Sequence, residues 1–196
     1  MKQNSALIIF VRNPVLGKVK TRIAATLGTE KALKIYKILL QHTNDITAAI
    51  HADKFVFYAD YINHEDLWEN HLYNKELQTS IDLGERMKNA FGFLFEKGYK
   101  NVGIIGSDCY DLTENILIDA FSKLIKTEVV IGPANDGGYY FIGMNTFIPQ
   151  LFDGKNWSAE SVCSDTKKQL KELEIPFYLL PTLSDVDEEK DVHFKY

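Results

Sequence analysis

The sequence has few cysteines, few prolines and no long hydrophobic run. Its two cysteines, Cys109 and Cys163, fit neither a metal-binding spacing nor a disulfide framework, so we expect free thiols in a reducing cytoplasm. No apolar stretch approaches the length of a membrane span, and the apolar run before Arg12 is too short for a secretory signal. We therefore expect a cytoplasmic protein with no membrane span.

Other absences limit the domain organisation and the partners. The five prolines are scattered, and no repeat, low-complexity segment or linker divides the 196 residues, so we expect a single domain over residues 1–196. A formal net charge of -5 and a pI of about 5.6 argue against nucleic-acid binding, which favours a basic surface. The expected partner is a small molecule, and the sequence leaves the oligomeric state open.

Several common catalytic motifs are also missing. Gly17-Lys18 is followed by Val19 rather than by serine or threonine, so this loop is not a Walker A motif, and no G-x-G-x-x-G fingerprint is present. Gly106-Ser107-Asp108 is not a nucleophile elbow, and the histidines do not form an H-E-x-x-H pair. The sequence therefore gives no sign of P-loop, dinucleotide, serine-hydrolase or zinc-protease chemistry.

The sequence does contain an alternation of apolar runs and helical patterns. Continuous apolar runs predict buried strands at residues 6–11, 54–59, 101–105 and 128–131. Apolar residues at spacings of three and four predict helices after Thr29, from Leu83 towards Gly98, after Thr113 and over residues 158–173. Such alternation indicates an α/β protein, a three-layer α/β/α sandwich with a mostly parallel sheet.

The C-terminal third has a different pattern. Residues 128–132 and 139–143 flank the turn Asn135-Asp136-Gly137-Gly138, which predicts an antiparallel pair on part of the sheet. The two glycines also allow the backbone to approach a ligand closely, and Asp136 could then meet an acceptor hydroxyl. A simple hairpin turn explains the same residues without a function. A strand at residues 177–180 completes the pattern.

The first candidate site is a basic loop. Arg12, Lys18, Lys20 and Arg22 directly follow the first strand, where many α/β proteins receive phosphates. Without a glycine nest, the phosphates would be held by side-chain charge and by a helix N-terminus. The alternative is a solvated basic loop.

Two acidic positions could hold a metal ion. Asp108, in Gly106-Ser107-Asp108, follows a strand at the edge where open α/β sheets bind ligands, and Mg²⁺ or Mn²⁺ needs only one or two carboxylates when phosphate and water complete its shell. Asp187 is our first choice for a second ligand and Asp185 the second choice. The alternatives are a turn before the helix capped by Thr113 and an ordinary acidic tail.

These motifs together resemble a known group, the GT-A-type nucleotide-diphospho-sugar transferase superfamily, and within it a bacterial branch of small glycosyltransferase-like proteins. The resemblance runs in order over almost the whole chain. It comprises Phe10-Val11-Arg12-Asn13-Pro14, Gly17, Lys20-Thr21-Arg22, Gly106-Ser107-Asp108, Gly132-Pro133, Asp136-Gly137-Gly138-Tyr139-Tyr140, Phe152, Trp157-Ser158 and Asp185-Val186-Asp187.

The resemblance implies a nucleotide bound across the strand ends, an acidic metal motif at Asp108 and metal-dependent transfer. Relatives include sugar transferases and nucleotidyltransferases of the molybdopterin guanylyltransferase and phospholactate guanylyltransferase types. This chain lacks the glycine-rich first loop of the nucleotidyltransferases, and it has Cys109-Tyr110 where its own branch has a small residue and proline.

We therefore predict a transferase that uses a nucleoside-diphosphate sugar or a nucleoside triphosphate and a small acceptor. Asp108 and Asp187 would hold Mg²⁺ or Mn²⁺, and Lys20 and Arg22, with Arg12 and Lys18, would bind the donor and offset charge on its leaving group. Asp136 would orient or deprotonate the acceptor. The remaining predicted donor contacts are Gly106, Ser107, Gly137 and Gly138. The alternatives are nucleotidyl transfer with release of pyrophosphate and a non-catalytic nucleotide or phosphosugar binder.

Overall fold

The fold follows from the two directions in which the strand side chains point. The structure is a computed structural model that describes residues 4–157 and 159–196. In the first strand, β1 (Ser5–Val11), alternate side chains face opposite sides of the sheet. Leu7 and Ile9 enter one hydrophobic core, whereas Ala6 and Ile8 enter a second. The continuous apolar run therefore reflects a strand covered on both faces, as predicted.

Strands and helices alternate along the described part of the chain. The other strands are β2 (Asp53–Tyr58), β3 (Tyr73–Leu77), β4 (Asn101–Ile105), β5 (Val129–Pro133), β6 (Tyr139–Met144) and β7 (Phe177–Leu179). The α-helices are α1 (Thr21–Leu27), α2 (Thr29–Ala48), α3 (Leu83–Glu96), α4 (Glu114–Leu124) and α5 (Val162–Glu172). Short 3₁₀ turns cover Pro149–Phe152 and Glu189–Asp191.

The strands form one mixed sheet in the order β3-β2-β1-β4-β6-β5-β7. All neighbouring strands pair in parallel except at β6, which is antiparallel to both β4 and β5. Helices α1, α2 and α4 pack on one face and α3 and α5 on the other, which confirms the predicted α/β/α sandwich. The strand order reverses between β1 and β4, and open α/β sheets bind ligands at such a reversal.

Some local predictions differ from the structure. The sequence pattern places an N-cap at Thr29, but Thr29 is the first helical residue of α2 and Gly28 is the N-cap. The helix predicted from residue 158 begins at Val162, and Ser158 lies outside the described residues. The sequence pattern does not predict α1 or β3, because each of them buries a single side chain, Ile23 in α1 and Tyr73 in β3.

The cysteines are free thiols, as predicted. Both are buried, and burial raises the pKa of Cys109 and of Cys163 above the ordinary value of a thiol, so neither is a reactive thiolate at neutral pH.

None of the helices formed by residues 4–157 and 159–196 has the length and apolar character that crossing a membrane requires.

Candidate active site

The basic loop after β1 starts from a fixed position. The side-chain amide of Asn13, which is buried, donates to the Tyr61 carbonyl at 3.0 Å and accepts from the backbone N–H groups of Asp60 and Tyr61 at 3.3 Å. These bonds tie the loop after β1 to the loop after β2. The loop is therefore anchored at the sheet edge before its cationic residues begin.

A tyrosine of α2 ties the same loop to the one after β4. The Tyr36 hydroxyl accepts from the Arg12 N–H at 2.9 Å and lies 3.3 Å from the Ser107 hydroxyl. Ser107 is buried, whereas Gly106 is exposed. A Cβ atom on Gly106 would lie 2.8 Å from Asp108 Oδ1, so glycine leaves room for that carboxylate. The loops that flank the reversal point of the sheet are therefore held together directly.

Lys20 is the centre of the site. Its ammonium donates to Asp108 Oδ2 at 3.1 Å and to Asp187 Oδ1 at 3.0 Å. Its side chain is 9% exposed, whereas the two carboxylates are 40% and 41% exposed. Burial alone would lower the pKa of Lys20, but the two carboxylates outweigh it and the pKa lies above its usual range. The structure thus brings together two residues predicted to bind a metal ion, Asp108 and Asp187, and one residue predicted to bind the donor substrate, Lys20.

A segment after β7 carries the third partner to this place. Leu183 exchanges backbone hydrogen bonds with the turn after β5, donating to Pro133 O at 3.1 Å and accepting from Asn135 N at 2.9 Å. The next contact is with the loop after β4, where Val186 N donates to Asp108 O at 2.9 Å. The segment of residues 183–187 therefore links both turns and places its acids beside Asp108.

The 3₁₀ turn that follows fixes Asp187. The carboxylate of Asp191 accepts from the backbone N–H groups of Asp187 at 3.1 Å and Glu188 at 2.8 Å, as part of a capping box. The sequence of this stretch is compatible with either an acidic tail or a source of metal ligands. In the structure, Asp191 holds the backbone of Asp187 in place.

Asp185 occupies an unusual environment. Its Oδ1 atom is buried and has no hydrogen-bond partner among residues 4–157 and 159–196. Burial raises its pKa to about 8, and the nearby charges of Asp108 and Asp136 add to the rise. The charges of Asp108, Asp136, Asp187 and Lys20 therefore all act on Asp185, whereas Lys20 itself contacts only Asp108 and Asp187. Asp185 is only the second choice from the sequence, because spacing along a strand does not predict which carboxylate becomes buried.

The Asp-Gly-Gly turn between β5 and β6 borders the same cluster. Asp136 is exposed, and its Oδ1 atom accepts from Gly138 N at 2.8 Å. Gly137 has a φ of +90°, and a Cβ atom there would collide with the Glu160 carbonyl. The close backbone approach at Gly137 is therefore to the protein's own chain, and the role of Gly137 and Gly138 towards a ligand stays a prediction.

The other predicted cations lie at the solvent boundary. Arg12, Lys18 and Arg22 are all exposed. Arg22 is on α1, where it lines an open surface pocket of about 780 Å³ together with Glu188, Glu189 and Lys190. α1 has only seven residues and no side-chain cap, so side-chain charge is the main source of positive potential on this side of the site.

The donor set suits a divalent metal ion. Asp108 and Asp187 already share one cation, and carboxylate oxygens are the ligands that Mg²⁺ and Mn²⁺ prefer. Within the described ranges, no group of three His, Cys, Asp or Glu side chains converges as a metal site. The pair therefore fits an ion that takes its remaining ligands from phosphate and water rather than an all-protein cage.

Comparison with known proteins gives one family and many structures of the same fold. Residues 42–159, more than half of the chain, match the family described as uncharacterized protein conserved in bacteria (DUF2064). No curated protein matches the chain significantly. A protein from Desulfovibrio desulfuricans G20, provisionally named a nucleotide-diphospho-sugar transferase, is 34% identical with a TM-score of 0.87, and the match covers 95% of this chain and 83% of that one.

Two cytidine-nucleotide enzymes are similar in fold alone. An inositol-1-phosphate CTP transferase from T. maritima has a TM-score of 0.59 at 11% identity, and the match covers 98% of this chain and 93% of the enzyme. A CMP:2-keto-3-deoxy-manno-octonic acid synthetase complexed with CTP has a TM-score of 0.60 at 8% identity, with 97% and 95% covered.

Proposed function

We propose that this chain, which belongs to the bacterial family DUF2064, is a metal-dependent transferase that uses a nucleotide-activated donor. The donor is a nucleoside-diphosphate sugar, and the reaction transfers the sugar to a hydroxyl group of a small acceptor and releases a nucleoside diphosphate. The name of the 34% identical relative supports this choice of donor.

The observation that carries the proposal is the meeting of Lys20, Asp108 and Asp187 beside the reversal point of the sheet. Lys20 follows β1 and Asp108 follows β4, so a cation and an acid from neighbouring strands face one place. A diphosphate needs positive charge on its oxygens as the bond to the sugar breaks. An acid pair that binds a metal ion, next to a lysine, supplies that charge.

Each of the predicted residues has a role in this proposal. Asp108 and Asp187 would hold Mg²⁺ or Mn²⁺, which when bound neutralises charge on the diphosphate. Lys20 would bind the same phosphates. Arg12, Lys18 and Arg22 are exposed on the loop and helix that carry Lys20, so their long side chains can reach a phosphorylated ligand there.

The turn between β5 and β6, which carries Asp136, would receive the acceptor. Asp136 is exposed and its charge acts on Asp185, so it lies at the edge of the acid cluster. In the proposal its carboxylate orients the acceptor hydroxyl or removes its proton. Backbone groups of Gly106, Ser107, Gly137 and Gly138 would contact the donor.

A donor panel tests the proposal. The protein is incubated with sugar nucleotides and, separately, with nucleoside triphosphates in the presence of Mn²⁺, and the release of nucleoside diphosphate and of pyrophosphate is measured. We expect nucleoside diphosphate from at least one sugar nucleotide. Pyrophosphate release alone would favour nucleotidyl transfer, the reaction class of the CTP-using enzymes with this fold. Donor binding without either product would identify a non-catalytic binder.

A matched pair of variants tests the role of Asp108. Asp108→Asn should lower turnover at least ~100-fold, because the loss of one metal ligand removes charge stabilisation of the leaving group, while the circular dichroism spectrum is unchanged. Asp111→Asn is the control, because Asp111 follows β4 in the same loop but pairs with His193 at 3.0 Å. Equal activity of the two variants would contradict the assignment.

A further inference from the structure

Lys20 lies where a metal ion would meet its carboxylates. The ammonium contacts Asp108 and Asp187 at 3.1 and 3.0 Å, and the side chain is 9% exposed. Two carboxylates that share a lysine cannot also share a divalent ion at the same oxygens, because the ion and the ammonium would repel each other at short range. Metal binding therefore requires a change at Lys20.

The charge balance indicates what permits that change. The carboxylates of Asp108 and Asp187 and the ammonium of Lys20 together carry a single negative charge. A divalent ion added to these three groups would make their net charge positive. A buried or half-buried site does not tolerate excess charge well. The diphosphate of a donor supplies the missing negative charge and offers the ammonium a new set of acceptor oxygens.

The backbone around Lys20 favours movement of the side chain alone. Lys20 has φ 45° and ψ 52°, a left-handed conformation that a non-glycine residue adopts only when its surroundings impose it. Its carbonyl accepts from Ala24 N at 2.8 Å and so begins α1. The backbone is therefore fixed, whereas the four-carbon stem of lysine rotates easily and can carry the ammonium from one anion to another.

We propose that Lys20 is a built-in counter-cation that excludes a divalent metal ion from Asp108 and Asp187. The exclusion ends when a phosphorylated donor binds and its oxygens replace the two carboxylates as partners of the Lys20 ammonium. The inference rests on the proposed function for the identity of that donor. It makes the binding of metal and donor mutually dependent, since each lowers the cost of the other, and such coupling is reciprocal. The free protein then binds metal weakly, and the metal enters with the donor.

Direct measurement of Mn²⁺ binding tests the proposal without an activity assay. Free Mn²⁺ is followed by electron paramagnetic resonance as the full chain is titrated, first alone and then with UDP, CDP, GDP or ADP, corrected for Mn²⁺ bound to nucleotide. The variants are Lys20→Gln and Lys20→Asn, the second because asparagine tolerates the left-handed backbone. Lys31→Gln, at an exposed position of α2, is the matched control for loss of one charge.

We expect both Lys20 variants to bind Mn²⁺ alone at least ~10-fold more tightly than the unmodified protein, with Lys31→Gln unchanged. Equal or weaker Mn²⁺ binding by the folded Lys20 variants would overturn the proposal, even where a nucleotide strengthens Mn²⁺ binding by the unmodified protein. Tighter binding by the variants with no response to any nucleotide would support the role of Lys20 and would count against the proposed function instead.

Discussion

Asp185 is a buried carboxyl group whose charge depends on the acids around it. Its pKa in the folded protein is about 8, against an ordinary value of 3.8, because burial and then the charges of Asp108 and Asp136 disfavour ionisation. Between these two pH values the folded chain binds a proton that the unfolded chain has lost. The contribution of Asp185 therefore makes the protein less stable as the pH rises from about 4 to about 8.

We predict that Asp185→Asn removes this pH dependence. In metal-free buffer with a chelator, the variant should gain roughly 1–2 kcal/mol at pH 8.5, a rise in Tm of a few degrees, and gain little at pH 5. Urea unfolding at both pH values measures the effect. Asp60→Asn, at an exposed position after β2, is the control. A gain of the same size at both pH values would contradict the prediction.

Two glycines of α3, Gly84 and Gly92, differ in the space around their Cα atoms. A Cβ atom on Gly84 would collide with the Trp157 ring and lie 2.8 Å from Phe152 O, whereas one on Gly92 would lie 3.5 Å from Phe147. Alanine is the better helix former by about 1 kcal/mol, so propensity favours both substitutions. Packing opposes only the substitution at Gly84.

Gly84→Ala should therefore lower the free energy of unfolding by about 1–3 kcal/mol, and Gly92→Ala should leave it unchanged or raise it by up to about 1 kcal/mol. Urea denaturation of the two variants measures the difference. Equal stability of both variants would show that α3 can move away from Trp157 without cost.

At the scale of elements, the segment between β2 and β3 is fixed by a buried ion pair. The Lys75 ammonium donates to Asp66 Oδ1 at 2.8 Å, with the two side chains 4% and 15% exposed. The Tyr58 hydroxyl donates to the same carboxylate at 2.7 Å, and Trp68 is fully buried. The sequence leaves open whether residues 64–78, rich in polar and aromatic side chains, form a lid or a surface excursion, and these contacts favour a fixed excursion.

We predict that Lys75→Met lowers stability by about 3–5 kcal/mol, because it leaves the Asp66 carboxylate buried without its cation. Lys88→Met is the control, because Lys88 pairs with Asp153 at the same distance of 2.8 Å but with side chains 28% and 53% exposed. An exposed pair contributes about 0–1 kcal/mol. Similar losses in the two variants, measured by urea unfolding, would contradict the assignment of a buried pair.

The sequence predicts the central elements well and the peripheral ones poorly. β4 matches its apolar run of residues 101–105, and Thr113 caps α4 through its side chain as expected. β3 has the sequence YNKEL and buries little, so its strand conformation depends on pairing with β2, which no local pattern reveals. α5 begins at Val162, and the N–H of Cys163 in its first turn donates to Gly137 O, a contact between distant segments that no local pattern reveals.

The same distinction applies to the site. Arg12, Lys18 and Asp108 can be placed at one sheet edge from the sequence, because the carboxyl ends of parallel strands meet there. The bridge from Lys20 to two carboxylates and the burial of Asp185 depend on how residues 183–187 pack between two turns. Such packing has no signature in residue spacing, and the roles of all these residues in a reaction stay predictions.

As a whole, the molecule has an assigned family and an uneven distribution of charge. The predicted membership of the GT-A-type superfamily is confirmed by the family and fold matches. The chain carries a net charge of -5, yet Arg12, Lys18, Lys20 and Arg22 lie within eleven residues of one another at the sheet edge. Under the proposed function, this positive loop would attract phosphorylated ligands, whereas the negative charge of the rest of the molecule would repel them.

Nucleotide binding should therefore weaken with salt. Raising NaCl from about 0.05 to about 0.5 M should lower the affinity for a nucleoside diphosphate about tenfold, because salt screens exposed charges. Arg22→Gln should reduce this salt dependence, whereas Lys37→Gln, at an exposed position in the middle of α2, should not. Isothermal titration calorimetry at several salt concentrations measures the slope. A slope unaffected by Arg22→Gln would place that side chain outside the nucleotide site.

The separation between Lys20 and Asp187 along the chain has a consequence for biosynthesis. The two residues that meet in the site are 167 positions apart. A nascent polypeptide can pair β1 with β2 and β4 long before Asp187 is translated. Until that residue has left the ribosome, Lys20 and Asp108 lack their third partner. The proposed site for metal and donor can therefore be completed only after β7 and the segment that follows it have been translated.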